Sequence, residues 1–196
     1  MRDLVPSLKY GVGTNDYTYP TRRQGKDSKE YRLWNGMLAR CYSKVALARG
    51  PSYLNCRVSE NFKDYTYFYQ WCQNQIGFDT PNYQLDKDLI CKGNRVYSED
   101  TCVFLPQVLN NLLIKRSGDR GNLPIGVCAN CGGFQTKVNI RGASKHLGTF
   151  PTPDLAFQAY KTAKEAHIKD MAEMYKADID PRAYTALMAY QVEITD

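Results

Sequence analysis

Residues 83–115, YQLDKDLICKGNRVYSEDTCVFLPQVLNNLLIK, decide the fold of the first half of the chain. Residues 85–90 alternate apolar and charged side chains, which predicts a strand, and the Lys-Gly-Asn cluster at residues 92–94 predicts the loop that ends it. A second short apolar run, residues 102–105, predicts another strand. Pro106 then opens a helical pattern over the rest of the stretch, because proline is favoured at helix starts. The stretch therefore predicts a ββα unit.

A ββα unit of this kind has a defined chemical use. Its two strands and helix can fix three side chains around one point, which allows a divalent metal ion to be held against a phosphodiester. In this chain the first strand and loop contain carboxylate and amide side chains. The sequence thus permits metal-dependent chemistry on a nucleic acid.

The run LDKDLICKGNRVYSEDTCVF resembles the HNH segment of phage homing-type endonucleases, where an LDKD-like strand precedes KGN, a Tyr-Ser and Thr-Cys segment, and a helix led by proline. The pattern WNGMLARCY, followed by an aromatic-rich helix, is similar to the N-terminal part of the same family. The resemblance covers about residues 31–114. It implies hydrolysis of DNA phosphodiester bonds at a site that includes Gln84, Asp86 and Asn94, with Asp86 and Asp88 as ligands of Mg²⁺.

The general base of that family is often a histidine directly before LDKD, and here this position is Gln84. Glutamine cannot accept a proton at neutral pH, and both histidines of the chain, His146 and His167, lie far from the LDKD segment in sequence. Two hypotheses follow. The protein is an HNH-type DNA endonuclease, or it is a catalytically inactive DNA-binding or protein-binding factor, for example an inhibitor of a host enzyme.

Length and composition limit the other possibilities. The chain has 196 residues, of which 43% are hydrophobic, enough for one ordinary domain or two small ones. No apolar run is long enough to span a membrane, and the first residues lack the apolar region of a signal peptide. We therefore expect a protein without membrane contact, in the cytoplasm of a bacterial host cell. Seven cysteines without regular spacing fit a reducing compartment.

The cysteines also bear on metal binding. Cys128 and Cys131 form the only C-x-x-C motif of the sequence, and structural zinc needs four ligands. A second pair of zinc ligands would have to come from Cys41, Cys56, Cys91 or Cys102, and their spacing does not indicate such a pair. We expect the thiols to pack as small hydrophobic side chains rather than to bind structural Zn²⁺.

Residues 116–122 contain two glycines, two arginines and no apolar side chain, which predicts a flexible basic linker. Composition and periodicity both change after it. Residues 125–128, 134–140 and 145–149 predict three short antiparallel strands separated by Asn-Cys-Gly-Gly and Gly-Ala-Ser turns. Thr152 and Pro153 then provide a cap and first residue for a helix. We predict an α+β protein with two modules, residues 1–115 and 122–196, the second being a three-stranded sheet packed on one long helix.

This second module resembles the Apetala/ERF-type DNA-binding domain over about residues 122–175. The matching residues are Ile125-Gly126-Val127, Phe134, Lys137-Val138, the run KHLGTF at residues 145–150, and the start of the helix. The resemblance implies that the exposed face of the sheet enters the major groove of double-stranded DNA. Cys128 and Asn130 occupy two positions where that family usually contacts DNA. The predicted DNA-binding residues are Arg116, Arg120, Asn130, Lys137, Asn139, Arg141 and Lys145.

The distribution of charge favours the same partner. Residues 115–150 hold six basic residues and one acid, whereas residues 151–196 hold five basic and eight acidic residues. A concentrated basic segment attracts polyanions. A solvated basic surface without a partner is the alternative.

Helical periodicity predicts three further elements. Residues 28–42 form a helix that Asp27 and Glu30 would cap. A second helix begins at Ser59 or Asn61, and its aromatic stripe indicates core packing rather than base stacking. Asp180 and Pro181 open a short helix that continues to residue 190, whereas residues 1–26 have no period and predict an irregular arm.

Overall fold

The structure is a computed structural model that describes residues 8–115 and 123–196. The chain forms two compact units, Met1–Pro106 and Gln107–Asp196. Both helices and strands are present, which confirms the predicted α+β class. The predicted linker, residues 116–122, lies outside the described residues.

The first unit consists of short helices and three two-stranded sheets. Its helices are α1 (Lys29–Tyr42), α2 (Lys44–Arg49), α3 (Glu60–Lys63) and α4 (Tyr65–Gln73), and a 3₁₀ turn spans Pro51–Tyr53. Its strands are β1 (Arg22–Arg23), β2 (Lys26–Asp27), β3 (Arg57–Val58), β4 (Tyr83–Asp86), β5 (Val96–Tyr97) and β6 (Val103–Pro106). The pairs are β1 with β2 and β4 with β6, both antiparallel, and β3 with β5, which is parallel.

The cap of helix α1 and its first residue each lie one residue later than predicted, at Ser28 and Lys29. The Ser28 hydroxyl, not Asp27, accepts the hydrogen bond from the Tyr31 backbone N–H at 3.2 Å. Glu30 does not complete a capping box, because its buried carboxylate accepts from Gln73 Nε2 at 2.9 Å and lies 3.4 Å from the Arg23 guanidinium. The N-terminal segment is thereby tied to α1 and α4. It also contains the β1–β2 hairpin, so the prediction of an irregular arm was wrong there.

The second predicted helix is two helices. Ser59 caps α3, as predicted, but Asp64 ends it and caps α4 by accepting from the Tyr67 backbone N–H at 2.8 Å. The aromatic stripe of this region is buried, as expected for core packing. The core of the first unit contains Trp34, Met37, Leu38, Phe62, Tyr65, Phe68, Phe78 and Phe104.

Residues 83–115 contain three strands before the helix and not the predicted two, because β5, which pairs with β3, lies between the two predicted strands. The first predicted strand is β4, which ends at Asp86, and not residues 85–90. Residues 87–90 are bends because the Asp86 side chain turns the backbone, as described below. The second predicted strand is β6, and helix α5 (Gln107–Leu112) follows it and belongs to the second unit.

The second unit contains a three-stranded antiparallel sheet and two further helices. The strands are β7 (Val127–Asn130), β8 (Gly133–Ile140) and β9 (Ala143–Phe150), in the order β7-β8-β9. Helix α6 (Pro153–Met174) packs on one face of this sheet, and α7 (Pro181–Met188) packs on α6. The predicted sheet on one long helix is confirmed.

Local sequence explains these limits. Thr152 caps α6 by accepting from the Leu155 backbone N–H at 3.3 Å, and Pro153 is its first residue. Asp180 caps α7 in the same way, through the Arg182 backbone N–H at 2.7 Å. The buried side chains of α6 include Ala156, Phe157, Tyr160, Ile168 and Met171.

Gly126 allows α6 to approach the sheet. Its backbone has a φ of +77°, and a Cβ at this position would overlap the ring of Tyr160. The buried Thr136 hydroxyl donates to the Gly126 carbonyl at 2.6 Å. A residue with a side chain would therefore meet both backbone strain and a steric conflict here.

Candidate functional site

Gln84 and Asp86 lie on the same face of β4. Tyr83 and Leu85 pack against the core of the first unit, so strand alternation places the two polar residues on the opposite face. Their partners across the antiparallel pair are Leu105 and Val103, respectively. The structure thus brings together two of the three residues that the HNH resemblance implies.

The Asp86 carboxylate organises the loop after β4. Its Oδ1 accepts hydrogen bonds from the backbone N–H groups of Asp88 at 2.9 Å and Leu89 at 2.8 Å. Burial raises the pKa of Asp86, and these two hydrogen bonds only partly oppose that rise. The Asp86 carboxyl group therefore stabilises the turn that follows β4.

Asn94 closes the other end of the same loop. Its Nδ2 donates to the carbonyls of Lys87 at 2.7 Å and Val96 at 2.6 Å, while its Oδ1 accepts from the Val96 backbone N–H at 3.0 Å. All the hydrogen atoms of the amide are used in this way. The Asn94 side chain, which the resemblance places in the catalytic site, thus holds the backbone of the loop.

Lys87 is a central residue of this loop that the sequence interpretation did not single out. Its side chain is 7% exposed, and its Nζ lies 2.5 Å from Asp88 Oδ1, 3.2 Å from the Asn94 carbonyl and 5.5 Å from the centre of the Tyr97 ring. The alternation in LDKD gave an indication of this, because Lys87 is two residues from the core-facing Leu85. An alternating pattern does not distinguish a buried lysine from an exposed one.

This donor set fits Mg²⁺ poorly. The Lys87 ammonium already pairs with Asp88, and Oδ1 of Asp86 already accepts two N–H groups. A buried cation at this position opposes a second cation by charge repulsion. Within residues 8–115 and 123–196, no three side chains of the His, Cys, Asp or Glu types gather at a common point suited to a metal ion.

The cysteines divide into two groups. Cys41, Cys56, Cys72 and Cys102 are buried, whereas Cys91, Cys128 and Cys131 are exposed, and all seven are free thiols. Burial raises the pKa of Cys41 to about 12 and that of Cys102 to about 12, which disfavours the thiolate that zinc requires. The C-x-x-C pair lies at the β7–β8 hairpin, so its thiols do not pack as small hydrophobic side chains.

The outer face of the β7-β8-β9 sheet, opposite α6, is the second candidate site. Thr136 and Val138 are buried towards the helix, so alternation places Gln135, Lys137 and Asn139 outward. The strand register adds side chains from β7 and β9 to this face. We define the outer face as Cys128, Asn130, Gln135, Lys137, Asn139, Ser144, His146 and Thr149.

Three of the predicted DNA-binding residues, Asn130, Lys137 and Asn139, are on the outer face and exposed. Gln135 and His146 belong to it as well, although the sequence interpretation omitted them. His146 stands directly opposite Lys137 in the register. The signal that would have found Gln135 is its period-two spacing with Lys137 and Asn139.

Two other predicted residues lie elsewhere. Lys145 pairs with Val138, so its Cβ points to the side of the sheet that α6 covers, although the residue is exposed. Arg141 is in the β8–β9 turn, where its guanidinium contacts Met174 Sδ at 3.2 Å. Arg116 and Arg120 lie outside the described residues. Part of the basic charge of residues 115–150 is therefore not on the outer face, and Lys115 pairs with Asp196 at 2.7 Å.

The register explains the position of Lys145. A β-bulge between Thr136 and Lys137 leaves Leu147 without a partner and shifts the pairing of β9 by one residue. A shift of one residue exchanges the two faces of a strand. Without the bulge, Leu147 and Lys145 would face outward. With the bulge, His146 faces outward instead.

The chemistry of the outer face is polar and free of carboxylates. Residues 123–153 contain no aspartate or glutamate. The exposed side chains provide one ammonium, one imidazole, and amide and hydroxyl groups. Such a surface can donate hydrogen bonds to acceptors on a polyanion without charge repulsion.

Comparison of the chain with family models, curated proteins and solved structures finds no match in any of the three. Within the part of the chain that the structure describes, no helix has the length and apolar character that crossing a membrane requires.

Proposed function

We propose that this protein binds double-stranded DNA through the outer face of the β7-β8-β9 sheet. The observation that carries the proposal is the outer face itself, which is exposed except for the half-buried Gln135, contains Lys137 and three amide side chains, and has no acidic residue. Phosphate contacts supply most of the affinity of such proteins, and side chains in the groove supply specificity.

The dimensions of the sheet support this proposal. Neighbouring strands lie about 4.8 Å apart, so the outer strands of a three-stranded sheet are roughly 10 Å apart, close to the width of the major groove. Helix α6 packs against the other face and does not cover the proposed surface. The Apetala/ERF resemblance of residues 122–175 agrees with this mode of binding.

We further propose that the first unit, which resembles an HNH module, has lost phosphodiester cleavage. Gln84 cannot act as a general base, Asp86 and Asn94 hold the loop, and Lys87 places a buried cation beside Asp88. Mg²⁺-dependent cleavage is the second candidate, because Gln84 and Asp86 do share one face of β4. Protein binding, for example inhibition of a host enzyme, is the alternative if DNA is not the partner.

Two measurements on the full chain test these proposals. Fluorescence anisotropy with a labelled duplex of about 30 base pairs should show binding that weakens as salt rises, because binding releases counterions. Supercoiled plasmid with Mg²⁺ or Mn²⁺ should stay uncut. Absence of duplex binding at low salt would contradict DNA binding and favour a protein partner. Robust divalent-dependent nicking, abolished by Asp86→Ala, would contradict the loss of cleavage.

A further inference from the structure

We infer that the outer face selects adenine-containing sites, through Gln135 and Asn139, rather than the guanine-rich sites that arginine would favour. This inference rests on the proposed DNA binding and adds its substrate class. The described part of the sheet has no arginine on its outer face, since Arg141 lies in the turn and contacts Met174. The side chains that point outward along β8 are an amide, an ammonium and an amide.

The chemistry of the two amides suits adenine. A carboxamide presents one donor and one acceptor side by side, which matches the N7 acceptor and the N6 donor of adenine in the major groove. Among the residues that the structure describes, the Gln135 and Asn139 side chains have no hydrogen-bond partner in the chain, so both groups of each amide are available. Guanine instead offers two acceptors, which a carboxamide cannot satisfy bidentately.

Asn130 provides an internal comparison. Its Oδ1 accepts from the Cys131 backbone N–H at 2.8 Å, so the acceptor of this amide is engaged in the β7–β8 turn. This bond ties the Asn130 amide to the turn, so the side chain is not free to rotate into the paired contact with adenine, although its Nδ2 can donate to a phosphate or a base. Asn130 should therefore contribute affinity without selecting a base.

The strand geometry predicts the spacing of the selected bases. Two residues along a strand advance about 6.8 Å, so Gln135 and Asn139 are roughly 13 Å apart, which corresponds to about four base-pair steps of 3.4 Å. Lys137 lies between them and suits a guanine or a phosphate. The predicted site thus has two A·T pairs about four steps apart.

Selection of bound duplexes from a random library, performed with the full chain, tests the inference. The wild type should enrich two adenines at that spacing, with about 5- to 150-fold discrimination at each position, as expected for a bidentate contact. Asn139→Ala should relax one position, Gln135→Ala the other, and the matched control Asn130→Ala neither.

The possible failures are distinguishable. Enrichment of G·C pairs, or binding without base preference, would overturn the adenine inference and leave DNA binding intact. Loss of both adenines in Asn130→Ala, with no effect of Asn139→Ala, would also overturn it. A library that yields no bound duplex, at low salt and high protein concentration, would overturn both this inference and the proposed function.

Discussion

The Asp86 carboxylate and the Asn94 amide fix the two ends of the loop between β4 and β5. Each forms short hydrogen bonds to the backbone, and the Lys87 ammonium lies beneath the loop against the Tyr97 ring. Residues that match an HNH pattern thus serve the conformation of the segment that contains them. Their role in this chain is better tested by stability than by activity.

Replacement of Asp86 should separate its hydrogen bonds from its charge. Asp86→Ala leaves two backbone N–H groups without their acceptor, and we expect a loss of about 1–3 kcal/mol in unfolding free energy. Asp86→Asn keeps an acceptor at Oδ1 and should therefore avoid this loss. Both tryptophans of the chain, Trp34 and Trp71, lie in the first unit, so fluorescence during urea unfolding reports on this unit.

The same pair of variants has an expected pH dependence. Because the pKa of Asp86 is raised in the folded state, the folded protein binds the proton more tightly than the unfolded chain does. The stability of the wild type should therefore fall as pH rises above the ordinary pKa of an aspartate. Asp86→Asn should lack this decline and gain on the wild type towards neutral pH. Equal stability of wild type and Asp86→Ala would contradict the role of Asp86 in the loop.

Among the elements, the contact of α6 with the sheet depends on glycine at position 126. Gly126→Ala should destabilise the second unit by about 2–5 kcal/mol, because it combines a positive φ with overlap of the Tyr160 ring. Gly142 has a similar φ of +83° but open space around it, so Gly142→Ala should cost only about 1–2 kcal/mol. Thermal unfolding followed by NMR signals of residues 123–196 would measure both. Equal losses would show that the ring contact is not close.

Helix α6 is also joined to the β8–β9 turn by a buried histidine. His167 Nε2 accepts from the Arg141 backbone N–H at 3.5 Å, and burial, with Lys164 and Arg141 nearby and Asp170 opposing them, lowers the pKa of His167. The unfolded chain then binds the proton more readily than the folded one. Stability of the second unit should be complete above about pH 6.5 and decrease as pH falls below it.

Substitution by glutamine tests this link. His167→Gln keeps an acceptor and does not titrate, so the loss of stability at acid pH should shrink. His146→Gln is the matched control, because His146 is exposed on the outer face. An unchanged acid sensitivity in His167→Gln, measured by the same NMR unfolding series, would exclude His167 as its source.

For the molecule as a whole, the second unit was the more predictable. Glycine and asparagine at the turns, and Thr152 with Pro153 at the helix start, mark the ends of its strands and of α6 in the sequence. The first unit was harder to predict from the sequence, because Asp64 divides one helical pattern into α3 and α4, and the turn at Asp86 ends β4 early. These are side-chain hydrogen bonds to the backbone, which periodicity does not reveal.

The two candidate sites show the same limit. The residue types of the outer face could be predicted, but the bulge beside Thr136, which places His146 and not Lys145 opposite Lys137, could not. Pairing across strands is set by tertiary contacts, and a bulge leaves no distinct pattern in a short strand. The burial of Lys87 is likewise a consequence of packing around Tyr97.

The most direct test of DNA binding by the outer face compares two charge reversals in the full chain. Lys137→Glu and Lys169→Glu lower the net charge equally, but Lys169 is exposed on α6, which packs on the opposite face of the sheet. Affinity is measured by anisotropy titrations of duplex DNA at about 0.15 M salt, where screening limits charge effects to about 8 Å. We expect Lys137→Glu to weaken DNA binding about tenfold or more and to flatten its salt dependence. Lys169→Glu should change the affinity by about twofold or less. Equal losses in the two variants would show that net charge alone attracts DNA and would contradict binding by the outer face.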